Sequence, residues 1–102
     1  MKVIWSDTAK LHWSKTLDFI AKNFGVSAVE TFMKKTMEAI KQISAMPDSG
    51  PVELLLSDLD ADYRSIVFAK HSKLVYTIHD DCIFINDYWD TRQETTLLKN
   101  RL

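Results

Sequence analysis

Glycine and proline are scarce in this 102-residue chain, with two of each, and cysteine occurs once. Two glycines exclude a collagen repeat and leave no glycine-rich phosphate loop. The lone Cys82 has no internal partner, which excludes a disulfide scaffold and leads us to expect a reducing compartment, the cytoplasm. No apolar run approaches the ~18–20 residues of a membrane span. The opening Met1-Lys2-Val3-Ile4-Trp5-Ser6 meets a charge again at Asp7, so it does not read as a signal peptide. Net charge is also nearly absent. Thirteen basic and fourteen acidic residues leave −1, so no global field draws the chain to nucleic acid.

What is present suits one globular domain over residues 1–102. The chain is 46% hydrophobic and 11% aromatic, and a chain of this size buries about two-thirds of its unfolded surface. Its charge is segregated. Residues 1–47 carry seven Lys against four acids, whereas Asp48, Glu53, Asp58, Asp60 and Asp62 face no base within residues 48–62.

The β-branched and aromatic run at residues 2–6 predicts a strand. Ser6, Asp7 and Thr8 offer caps for a helix over 8–24, whose stripe is Trp13, Leu17, Ile20 and Phe24, with Gly25 ending it. Ser27-Ala28-Val29-Glu30 has the capping-box pattern, and Val29, Phe32, Met33, Thr36, Ile40 and Ile43 predict a second helix over 27–45, stopped at Met46-Pro47. The short join predicts a helical hairpin. A turn cluster, Pro47-Asp48-Ser49-Gly50-Pro51, leads into the acidic connection, where Leu54-Leu55-Leu56 fits a short strand or one helical turn over the core. Strands are then predicted over 63–69, 74–79 and 82–89, and a short helix within 90–102. The order β-α-α-β-β-β(-α) is an α+β, two-layer fold. The helical hairpin covers one face of a mainly antiparallel sheet, and the other face is left to solvent, a ligand or a partner.

No standard catalytic signature or metal-ligand spacing is present, so no metal and no cofactor is expected. His12, one residue off the helix stripe, reads as a surface residue. Cys82, in an apolar run, reads as inert. Asp80-Asp81 read as turn formers. What remains is a set of cations on or beside the strands: Arg64, Lys73 and Arg92. In a meander these can converge on the open face. A guanidinium among strand residues otherwise needs a carboxylate, which Asp87 or Asp90 can supply.

Read in order, Met46-Pro47-x-x-Gly50, Asp62-Tyr63-Arg64, Leu74-Val75-Tyr76-x-Ile78-x-Asp80-Asp81 and Trp89-Asp90-Thr91-Arg92-Gln93 follow a β-α-α opening. This ordered set resembles the RelE/ParE superfamily of toxins from bacterial type II toxin–antitoxin systems. The resemblance implies a cytoplasmic toxin, of the kind linked to plasmid stabilization, that causes growth arrest unless a cognate antitoxin wraps it. A ParE-like member poisons DNA gyrase, a RelE-like member cleaves mRNA on the ribosome, and a degenerate member acts only as an interaction module. In the nuclease case Arg64, Lys73 and Arg92 match the family's three basic positions and would hold the scissile phosphate. Two of the family's remaining positions fall on Ile66 and near Leu98, which cannot move a proton. His79 and Tyr88 are the substitutes the sequence offers. Near-neutral charge and the missing proton-transfer groups favour the ParE-like mode, which leaves catalysis open.

Overall fold

The fold is taken from a computed structural model that describes residues 1–92 and 99–102, with Leu55 described by its backbone alone. The strand β1 (Lys2–Trp5) leads through Ser6 into α1 (Asp7–Phe24). The Ser6 hydroxyl accepts the Ala9 amide, and its own backbone N–H and side-chain O–H donate to the carbonyls of Ile85 and Asn86. One residue thus caps the helix and ties it to the sheet. Gly25 then joins α1 to α2 (Val26–Ala45) by itself, at φ 88°, a left-handed value that a Cβ disfavours. The second helix therefore begins one residue before the capping-box pattern. Ser27 falls inside the first turn, and no side chain caps the helix.

After a 3-10 turn at Pro47–Ser49 and another at Leu54–Leu56, three strands follow: β2 (Arg64–Phe68), β3 (Ser72–His79) and β4 (Cys82–Asp90). The sheet order is β1-β4-β3-β2. The β2–β3 and β3–β4 pairs are antiparallel, and β1 lies parallel to β4. The sheet is therefore mixed, because the helical hairpin carries the chain back to start beside β4 in the same direction. Asp80 and Asp81, both at positive φ, make the two-residue turn between β3 and β4. The expected C-terminal helix lies mostly outside the described residues, though residues 99–101 are helical.

Two cores form, one on each face of the sheet. Beneath the helices, Phe32, Ala39 and Ile43 meet Ile66, Leu74, Tyr76, Ile83, Ile85 and Tyr88, with Trp13, Leu17 and Ile20 packed alongside. Phe24 and Met33 depart from the helix stripes read in the sequence. They are 68% and 44% exposed. On the opposite face Val75 and Trp89 lie beneath Leu56, with Leu59, Tyr63 and Leu102 against them. The expectation of a wholly open second face is corrected here. Leucines in the acidic connection are apolar enough to fold back over that half of the sheet, and the chain's end packs in with them.

Candidate functional site

Period-two alternation fixes where the strand cations point. Ile66, Leu74 and Tyr76 pack under the helices, so Arg64 leaves β2 on that side. Lys73 alternates with Leu74 and shares its side with Val75, whose core is on the other face. Arg64 and Lys73 therefore project from opposite faces and do not come together.

Each of the three cations has its own partner. Arg64 donates through Nη1 to the Gly50 carbonyl at 2.9 Å and lies 3.6 Å from the exposed Asp48 carboxylate. Lys73 Nζ meets Glu53 Oε2 at 2.5 Å, the two side chains being 13% and 11% exposed, and Ser65 donates to the same oxygen at 2.9 Å. Arg92, past the end of β4, folds back on Asp90 with Nη2–Oδ2 2.6 Å and Nε–Oδ1 3.0 Å, and holds that carboxyl below its usual range. Asp90 thus pairs with Arg92 rather than Arg64. His79 meets the neighbouring Asp80 at 3.2 Å, both largely exposed, and the Tyr88 hydroxyl lies 2.7 Å from that of Ser72.

The turn after α2 is held by Tyr76. Its hydroxyl donates to the Pro47 carbonyl at 2.7 Å and accepts the Gly50 amide at 3.0 Å. Burial pushes its phenol above the usual value of 10.0. A Cβ at Gly50 would sit 2.6 Å from the Ser65 carbonyl oxygen and closer still to the Tyr76 hydroxyl, so only glycine fits. The Met46-Pro47-x-x-Gly50 motif thus has a physical reason: it lets α2 end directly against β2 and β3.

A denser polar cluster lies elsewhere, and sequence reasoning missed it. In β4, Val75 stands opposite Asp87 and Tyr76 opposite Ile85, which leaves Asn86 as an extra residue. This bulge shifts the alternation. Without it Asp87 would follow Ile83 and Ile85 into the apolar core; with it Tyr88 takes that place. Asp87 is completely buried. His12 of α1 donates through Nδ1 to Asp87 Oδ1 at 2.7 Å, and Arg101 reaches the same oxygen through Nη2 at 3.0 Å and Oδ2 through Nε at 3.0 Å. Arg101 Nη2 also lies against His12 Nδ1. Arg101 stacks on Trp89, 4.7 Å from the ring centre. His12 is therefore not the plain surface residue its helix position suggested. The one signal in the sequence was Asp87 itself, an acid where Ile83-x-Ile85 calls for a third apolar residue.

Beside this cluster is a cleft of about 220 Å³ lined by His12, Lys15, Thr16, Tyr88, Asp90 and Arg101. Among the described residues no group of three or more His, Cys, Asp or Glu is placed to hold a metal, and no helix is long and apolar enough to cross a membrane.

A search of curated proteins finds no match to this sequence. Among solved structures, a chain described as the chromosomal ParDE TA system from P. aeruginosa superposes with a TM-score of 0.70 at 13% identity, over 88% of this chain and 95% of that one. That likeness concerns the fold. The profile described as ParE toxin of type II toxin-antitoxin system, parDE, matches residues 3–93. With nine-tenths of its length under that profile, the chain belongs to the ParE toxin family of type II toxin–antitoxin systems.

Proposed function

We propose that this chain is a toxin that arrests bacterial growth in the cytoplasm by binding DNA gyrase rather than by cutting RNA, and that a cognate antitoxin neutralises it. The observation that carries this reading is the state of Arg64, Lys73 and Arg92. A ribonuclease needs cations gathered on one phosphate and a group that moves a proton. Here Arg64 and Lys73 leave opposite faces of the sheet, Lys73 is nearly enclosed in its pair with Glu53, and Arg92 is closed on Asp90. Those three residues act as structural cations. If they served the RelE-like alternative, all three ion pairs would have to open first.

The antitoxin reading draws on the helical hairpin. Phe19, Phe24, Val26, Met33 and Met37 are exposed on it, and a cleft of about 400 Å³ between Trp5, Trp13 and Met37 has Lys10 at its rim. Apolar positions edged by lysine suit an amphipathic segment with acidic flanks that orders on binding. The test is expression of the chain alone in a bacterium, following transcripts and chromosomal DNA together. Growth arrest with double-strand DNA breaks and intact mRNA is expected. Fragmented mRNA whose cleavage is lost in Arg64→Ala or Arg92→Ala would overturn the reading in favour of the nuclease. Normal growth would leave only the interaction module.

A further inference from the structure

The cleft beside Asp87 is lined by none of the exposed apolar residues on which the antitoxin reading draws. Three of its six lining side chains are basic or become so on protonation: His12, Lys15 and Arg101. Thr16 adds a hydroxyl, whereas the Tyr88 hydroxyl is buried against that of Ser72. The single acid on its wall, Asp90, is closed on Arg92 through two short contacts and so presents little free negative charge. The other acid, Asp87, is fully buried behind His12 and Arg101. Asp87 thus holds two of the lining groups, His12 and Arg101, while Asp90 is closed on Arg92 outside the lining.

The holding is specific. His12 Nδ1 lies 2.7 Å from Asp87 Oδ1 and against Arg101 Nη2, which holds the ring at the cleft. Asp87 Oδ1 accepts from Nη2 of Arg101, Nε lies at ion-pair distance from Oδ2, and the Trp89 ring supports the guanidinium. Nη1 of Arg101 then has no partner among the described residues, and Lys15 has no ion pair among them. A held guanidinium and an ammonium with no ion pair, beside the Thr16 hydroxyl, suit a tetrahedral oxyanion, because several charge-assisted bonds converge without reorganisation.

The geometry points to a phosphoryl-anion site in the cleft between α1 and the C-terminal residues, bound by Lys15, Thr16, His12 and Arg101. A volume of about 220 Å³ admits a phosphate group with a small substituent, whether a phosphomonoester or one link of a nucleic-acid backbone. Phosphoryl oxygen is common to both. This inference does not depend on the toxin's target.

Two-dimensional NMR of the full-length protein tests it, with inorganic phosphate, AMP and the dinucleoside phosphodiester TpT titrated separately. Saturable shifts should centre on His12, Lys15, Thr16 and Arg101, and Lys15→Gln should weaken binding at least fivefold. Lys34→Gln, an exposed lysine on α2 outside the cleft, should leave affinity unchanged. Tighter binding of phosphate and AMP assigns the site to monoesters; tighter binding of TpT assigns it to a nucleic-acid backbone. Lys15 is an exposed surface residue, so its variant folds even if Arg101→Gln does not. The inference is overturned if no ligand saturates by 50 mM, or if Lys15→Gln and Lys34→Gln weaken binding equally, which would mark diffuse attraction to the lysine-rich helices.

Discussion

Replacing Tyr76 with Phe removes one oxygen atom and no ring packing, and the structure says what that oxygen does. It accepts the buried Gly50 amide at 3.0 Å and donates to the Pro47 carbonyl at 2.7 Å. In Tyr76→Phe the Gly50 N–H keeps its burial and loses its acceptor, a loss of about 1–3 kcal/mol for a buried donor left unsatisfied. Taking the middle of that range, and about 4–8 °C per kcal/mol for a domain near 100 residues, Tm should fall by roughly 8–16 °C. Calorimetry at pH 7 reads this directly, with Tyr63→Phe as the control, since the Tyr63 hydroxyl makes no hydrogen bond among the described residues. The pH dependence adds a second reading. Burial raises the folded Tyr76 phenol above its usual 10.0. Its contribution is therefore whole below about pH 10 and is lost as pH rises through the folded value, where the unfolded chain ionises more readily. The variant has no phenol there to ionise, so the gap in Tm between wild type and Tyr76→Phe should narrow above pH 10. A variant melting within 2 °C of wild type at pH 7, or a gap that stays constant into alkali, would refute the account of this turn.

Two further substitutions test neighbouring parts of the argument. Gly50→Ala pushes a methyl group to 2.6 Å from the Ser65 carbonyl oxygen and against the Tyr76 hydroxyl, and overpacking of this kind costs about 1–3 kcal/mol. Because both changes break one shared contact, Gly50→Ala/Tyr76→Phe should destabilise by less than the sum of the singles in urea unfolding. Asp87→Ala leaves the partly exposed Arg101 and His12 without their buried acceptor, which should cost about 1–3 kcal/mol in the same assay. It should also release the C-terminal residues, read as faster amide exchange at residues 99–102.

Much of the fold was legible because its signals are local. Ser6 at a cap, Gly25 between two apolar stripes and Pro47 after the second are each decided within a few residues, and all three stand where expected. The strands were legible from β-branched and aromatic runs, with ends that moved by one or two residues. What was not legible depends on contacts distant in sequence. The parallel placement of β1 beside β4 joins residues about 80 positions apart. The half-covered second face depends on Leu56 and Leu102 meeting Val75 and Trp89 from opposite ends of the chain's second half. The polar cluster depends on a bulge, which is one unpaired residue and carries no composition of its own. The sequence offered Asp87 only as a carboxylate for a strand guanidinium, and nothing local pointed from it to His12.

The segregated charge of the sequence acquires a structural meaning from the ion pairs. The acidic stretch after α2 does not form a negative patch in isolation. Asp48 lies near Arg64, Glu53 takes Lys73, and Asp58 takes Lys99 at 2.6 Å. Three of its five acids thus pair with bases of the second half, though only Glu53 does so out of solvent. The lysines of the first half receive no such compensation, since none of Lys2, Lys10, Lys15, Lys22, Lys34, Lys35 or Lys41 has an ion pair among the described residues. The two helices carry six lysines against the four acids Asp7, Asp18, Glu30 and Glu38, and they also carry the exposed Phe19, Phe24, Met33 and Met37. Arg64, Lys73 and Arg92 each have a carboxylate partner, while most lysines without an ion pair among the described residues lie on the helices. An acidic, amphipathic binder thus finds its complement there, and 1 M salt should weaken capture of the cognate antitoxin chiefly by slowing association, leaving the apolar contacts to set dissociation.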